Sequence, residues 1–381
     1  MGAFSLALLL SGCATPQITK ESVKFYPDPP ALPRIQFLTS FTGAKDVEGQ
    51  KSAFDSFVTG EKESGKRLDK PYGVAIHEGK IYVCDTNSTV VVFDLNRKTY
   101  GPLQGAKGPG KIVQPININI STDGTKYVTD TLRGQVLVFD QADAFVKALG
   151  KPGGWKPVDA IPYENRLYVA DIHNSAIKVF DIATGEIVKT FGNDKEAPVL
   201  DRPVNLAFDK NGYLYVTDAG RFQIVKFDRD GHFLGVIGKI GKNVGHFQRP
   251  KGVAADRNGR IYVVDAAYTN VQVFTADGQN LFFFGEGGTA PGKLILPAGI
   301  AIDYDNTKYF EKYLDPDFIM EHLIIVTSQF GDRQVNVFAF GKQKGVKYPT
   351  DEELLEELKQ KLLKQIKVQP DRPEEGGQEN R

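Results

Sequence analysis

Short apolar runs separated by polar turns fill the chain from residue 34 to residue 345. They recur in groups, each opened by a proline: Pro71, Pro115, Pro157, Pro203, Pro250 and Pro297, spaced 44, 42, 46, 47 and 47 residues apart. Each proline leads into a first apolar stretch (YGVAI, ININI, VDAIP, VNLAF, KGVAA, AGIAI) and then a turn. A second stretch closes on a polar residue: KIYVCD, KYVTD, RLYVAD, YLYVTD, RIYVVD and LIIVTS. A third follows, of the type VVVFD or IKVFD. Runs of this length, rich in β-branched and aromatic residues and bounded by Gly, Asp and Asn, predict strands. A period in the forties with several strands per unit predicts a propeller, because no single unit can bury its own apolar faces.

A fourth stretch completes four units clearly (AFVKALG, EIVKTFG, HFLGVIG, NLFFFG) and a fifth weakly near TYGPLQG. The sixth unit lacks one at its own end. The missing strand stands near the N-terminus as RIQFLTSFTG, with the same aromatic and glycine ending. An N-terminal strand that pairs into the last blade closes the ring and removes a free edge. The expected fold is therefore all-β, a six-bladed β-propeller over residues 34–345 closed by that strand.

Several segments fall outside this register. TDEELLEELKQKLLKQIKV predicts a C-terminal amphipathic helix within 346–368, with Thr350 and Glu353 as a capping box and Leu354, Leu355, Leu358, Leu362, Leu363 and Ile366 as its apolar stripe. Residues 369–381 have a disordered composition, and 14–33 read as a proline-rich spacer. Residues 44–67 form a long loop before the first blade, with Phe54 and Phe57 set among charges. The last blade carries an insertion from Tyr304 to Leu323, in which Tyr309, Phe310 and Tyr313 supply an aromatic surface suited to a partner. The competing reading folds that insertion down as a cap.

The apolar run Phe4–Leu10 is too short to span a bilayer but suits a signal-peptide core. Leu10-Ser11-Gly12-Cys13 resembles the bacterial lipobox, which implies a signal peptide over 1–13, lipidation at Cys13 and membrane attachment through that lipid. Ala14 stands where an Asp would hint at inner-membrane retention, so the resemblance implies an outer-membrane location in the bacterial envelope.

Charge narrows the function classes. Forty-seven basic and 47 acidic residues cancel, which argues against nucleic acid as a partner. With Cys13 lipidated, Cys84 is left alone and no intrachain disulfide forms.

Candidate chemistry collects on the first strands, which line the channel of a propeller. Two residues past each proline stand Gly73, Asn117, Asp159, Asn205, Gly252 and Gly299. Asn117, Asp159 and Asn205 thus put side-chain oxygens on three adjacent blades. Ca²⁺ or the hydroxyls of a small ligand are the candidates there, with Asp159 as the metal-binding carboxylate. Asp85, Asp130, Asp171, Asp218 and Asp265 end every second strand, and that repetition assigns them to turns rather than catalysis. The residues after them vary, so Asn87, Arg133, His173, Arg221 and Arg333, with Trp155 and Tyr268, form a candidate recognition rim.

Gly245-His246-Phe247-Gln248-Arg249-Pro250-Lys251-Gly252-Val253-Ala254, with Ile261–Asp265, resembles the NHL repeat. The layout is similar to NHL-type envelope lipoproteins of bacteria. That resemblance implies envelope proteins as partners, in secretion, assembly or multihaem cytochrome complexes. Enzymes of this fold set a standard: amidating lyases hold zinc with three channel histidines, and lactonases hold a divalent ion with Glu, Asn and Asp. His77, His173, His232, His246 and His322 fall in different turns, and no glutamate completes a lactonase set. The reading is a non-enzymatic, lipid-anchored docking scaffold without a cofactor. A metal-dependent lyase or lactonase using the channel is the first alternative, and a glycan-binding module using Trp155 the second.

Overall fold

The structure, a computed structural model, describes residues 24–28, 30–49, 66–87, 89–193 and 200–368, with side chains as far as residue 360. Cys13, Phe54, Phe57 and the tail from 369 lie outside the described residues.

The six prolines open six innermost strands: Pro71–His77, Pro115–Ile120, Pro157–Tyr163, Pro203–Phe208, Pro250–Ala255 and Pro297–Asp303. Proline has no N–H to give a ladder, so it sits well at a strand's first residue. Each innermost strand touches the next, and the sixth touches the first, so the ring closes as a six-bladed β-propeller. Blades one to five are four-stranded antiparallel sheets that run outward in chain order. Blade six is completed from the other end of the chain. After Pro297–Asp303, Phe318–Ser328 and Val335–Gln343 come Ile35–Phe41 and then the short Phe25–Tyr26 as a fifth strand. Ile35 pairs with Phe340 and Phe41 with Val335.

Packing between blades explains the repeated composition. The second strand of each blade is enclosed on both faces, as in Ile81, Tyr82, Val83 and Cys84, each at most 1% exposed. A strand buried on both sides reads as a continuous apolar run, as the second stretches do. Between blades three and four, Tyr168, Val179 and Phe191 meet Leu206, Val216 and Phe227. Apolar area removed from water at roughly 25 cal/mol per Å² holds such faces together.

Blade six departs from the expected boundaries. Its second strand starts at Phe318, so what read as insertion from there onward is sheet. The rest, around the two short 3₁₀ turns Thr307–Tyr309 and Glu311–Tyr313, folds down onto the ring. Phe310 is fully buried, edge-on to Phe41 at 6.4 Å. Asn306 Oδ1 accepts the Gly79 N–H, and the Tyr309 hydroxyl donates to Asn96 Oδ1, both on blade one. The expectation of an exposed aromatic patch therefore fails for Phe310, and Tyr309 and Tyr313 are half-buried around it. Five aromatics in one segment signalled burial because they had a hydrophobic groove between blades to fill.

The C-terminal helix spans Asp351–Val368. Thr350 and Glu353 cap it reciprocally, at 2.9 and 3.2 Å. Arg260 of blade five grips Asp351 through two bonds of 2.8 and 3.1 Å, and Leu354 and Leu355 pack on the core shared by blades five and six. The first turn of the stripe is thus docked on the propeller, while Leu358 stays exposed.

Candidate functional site

The polar residues two positions past the prolines do converge, but on one another. Asp159 is completely buried in blade three. Its Oδ1 accepts Nδ2 of Asn119 from blade two at 2.8 Å and the Ala160 N–H at 2.8 Å. Its Oδ2 accepts Nδ2 of Asn205 at 2.8 Å and the Leu206 N–H at 2.7 Å, both from blade four. Asn205 Oδ1 in turn accepts the Val253 N–H of blade five. Thr129 Oγ1 of blade two donates to the Val158 carbonyl of blade three. One carboxylate therefore fastens three blades. Burial pushes its pKa up to about 7, against the N–H donors that pull it down. Asn117 spends its Oδ1 on the N–H of Ile118. Asn119 escaped the sequence reading, although the alternation in Pro115–Ile120 puts it on the same face as Asn117.

Glycine fills the same position on the other three blades, for a steric reason. A Cβ at Gly299 would stand 2.2 Å from the Tyr72 carbonyl of blade one. A Cβ at Gly73 would stand 2.1 Å from Asn117 Oδ1. At these junctions the backbones themselves approach too closely for any side chain.

Beyond this ring the channel opens into a cavity of about 220 Å³, with walls that include Ile76, Ile118, Ile161, Phe208 and Ile302 and with Asn117, Asn119 and Asn205 at its polar end. It lies toward the face of the blade-six insertion. No trio of His, Cys, Asp or Glu among the described residues is placed to share a metal ion. His322 is buried within blade six, stacked on Phe340, and burial pushes its pKa down to about 3, so it stays neutral.

The repeated aspartates sit at the opposite mouth as turn anchors. Asp130 accepts the N–H groups of Val113, Gln114, Leu132 and Arg133. Asp218 and Asp265 each accept four equivalent N–H groups. Each carboxylate ties the end of a second strand to the loop that enters its own blade.

The proposed rim is uneven. Asn87, His173 and Arg221 are exposed. Arg133 is engaged with the carbonyls of Pro109 and Lys111, Tyr268 with that of Gly241, and Arg333 with that of Thr289. Trp155 is only 8% exposed; its ring packs on Phe180, and Nε1 donates to the Lys151 carbonyl. The glycan-stacking role drawn for Trp155 is thereby corrected: the ring is a core residue with no free face to offer.

No family model matches the chain, and no curated protein is similar to it. Solved structures are. A Bacteroides thetaiotaomicron protein of unknown function superposes with a TM-score of 0.57 at 15% identity, over 80% of this chain and 75% of that one. An auxiliary nutrient binding protein from the same organism gives 0.54 at 11%, over 72% and 70%. A gluconolactonase from Xanthomonas campestris gives 0.52 at 15%, over 76% and 93%. At such identities the likeness establishes the propeller fold and nothing finer.

Proposed function

We propose that this chain is an NHL-type propeller, anchored in the bacterial envelope through a lipid on Cys13, that docks partner proteins instead of turning over a substrate. The observation that carries the reading is the outer strand of blade four. Phe233, Leu234 and Val236 stand 39, 48 and 48% exposed there, and Ile187 and Val188 on the outer strand of blade three are each 50% exposed. An outermost strand leaves a row of backbone N–H and C=O groups unpaired, and apolar residues on it invite an extended partner segment to add as a further strand. The channel supports the same reading, because Asp159 spends its oxygens on four N–H donors.

The test is crosslinking of the full chain in its native membranes. Leu234→Lys with Val236→Lys should remove at least ten-fold of any specific adduct while circular dichroism stays unchanged. An adduct that survives both substitutions sinks the docking surface. Acyl labelling that persists in Cys13→Ser sinks the anchor.

A further inference from the structure

Four of the six residues that precede the blade-opening prolines are basic: Lys70, Lys156, Arg202 and Arg249, against Gln114 and Leu296. A fifth cation, Lys251, follows Pro250 directly, and its Nζ lies 5.4 Å from the centre of the Tyr72 ring on blade one. Blade six stands between blades five and one, yet offers only Ala298 and Gly299 at this level. Pro297, Ala298 and Gly299 are buried and uncharged, so the cations at this level come from the two neighbours of blade six, Arg249 and Lys251 from blade five and Lys70 from blade one.

Lys70, Arg249 and Lys251 form no ion pair with any carboxylate among the described residues. Three carboxylates of the adjoining loops are already engaged, Asp69 with the side-chain amide of Asn87. Asp85 accepts the N–H groups of Asp69 and Lys70, and Asp265 those of Gln248 and Arg249. Burial, with Arg249 and Lys70 adding to it, pushes the Lys251 amine down to about 8. Lys70 and Lys251 are half-buried and Arg249 is exposed, so an anion placed among them would supply the counter-charge that a partly desolvated ammonium lacks. The Tyr72 hydroxyl, held protonated well above its ordinary range by burial, adds a donor.

We infer that this mouth is a binding site for one small anion bearing a carboxylate or phosphate group, held between Lys70, Arg249 and Lys251 over the Tyr72 ring. The site is separate from the sheet edges proposed for docking and lies on the side of the Asp159 ring away from the apolar cavity. Lys251 is its central contact, because it is the cation that reaches from blade five to the Tyr72 ring of blade one. Arg249, more exposed, supplies the forked donor geometry that matches either anion.

Isothermal titration of the full chain at pH 7 with inorganic phosphate and with citrate tests it. One site per chain is expected for at least one probe, weakened at least ten-fold by Lys251→Met and about three-fold by Arg249→Gln. Lys308→Met, on the opposite face, should leave the affinity unchanged. Stronger binding of phosphate identifies a phosphate-bearing ligand, and stronger binding of citrate a carboxylate. Since Lys251→Met removes a half-buried charge, a second readout uses the unsubstituted chain: acetylation of the Lys251 amine, followed by mass spectrometry, should slow at least five-fold when the probe is bound. Absence of binding by both probes, several equivalent sites per chain, or full affinity in Arg249→Gln together with unprotected Lys251 overturns the inference.

Discussion

One position of the propeller is solved in two ways around the ring. From blade two to blade five, the innermost strands are joined by side chains, through Thr129, Asn119, Asp159 and Asn205. From blade five through six and one to two, they are joined by backbone approach at Gly252, Gly299 and Gly73. Polar residues converging on an axis invite a catalytic reading, yet here they replace the contacts that glycine provides elsewhere. The half with side chains needs every donor matched, whereas the half with glycines needs only space. A buried polar group is tolerated when its bonds are complete, and Asp159 completes four.

The comparison can be broken most directly at Asp159. Asp159→Ala leaves the N–H groups of Leu206 and Ala160, and the amides of Asn119 and Asn205, facing an empty space. Removing one partner of such a buried network costs about 3–5 kcal/mol, so denaturant titration should show a loss of that size. A loss below about 1 kcal/mol would mean that water replaces the carboxylate freely, and the network would not be the joint described.

The polar half should also titrate, where the glycine half cannot. Asp159 has a folded pKa of about 7, above the ordinary value near 4 in the unfolded chain. The folded state then holds a proton that the unfolded state releases between about pH 4 and pH 7. Stability from this group is thus present at low pH and is lost as pH rises through 7, with a slope of at most about 1.4 kcal/mol per pH unit. The melting temperature measured from pH 4 to pH 8 should show that decline, and Asp159→Asn should lack it. A decline of equal slope in the variant would assign it to another group.

The glycine half breaks by volume. Gly299→Ala places a methyl 2.2 Å from the Tyr72 carbonyl, a backbone atom that cannot swing aside. Blades six and one must separate, at an expected cost of about 1–3 kcal/mol in chemical denaturation. An unchanged midpoint would show that this junction has slack the backbone distances do not suggest.

Much of this was legible in the chain itself. The proline spacing, the second strands closing on Asp and the stray strand at Arg34–Gly43 determined six blades and their closure, because strand periodicity and turn chemistry are local properties. The capping box at Thr350 and Glu353 and the turn role of the repeated aspartates follow from the same local rules. What each side chain meets across a blade junction is not local. Phe310 and Trp155 look like partner surface in sequence and are core in the fold, because an aromatic is buried wherever a groove between blades has room for it. Asp159 looks like a metal ligand, and only the tertiary structure brings Asn119 and the Leu206 N–H, from two other blades, to occupy its oxygens. The cation cluster of Lys70, Arg249 and Lys251 was likewise hidden, since nearly 180 residues separate its parts along the chain. Sequence determined the blades. Ring closure alone decided which polar groups were matched and which were left without a partner among the described residues, since hydrogen bonds and charges depend on distances that only the closed ring sets.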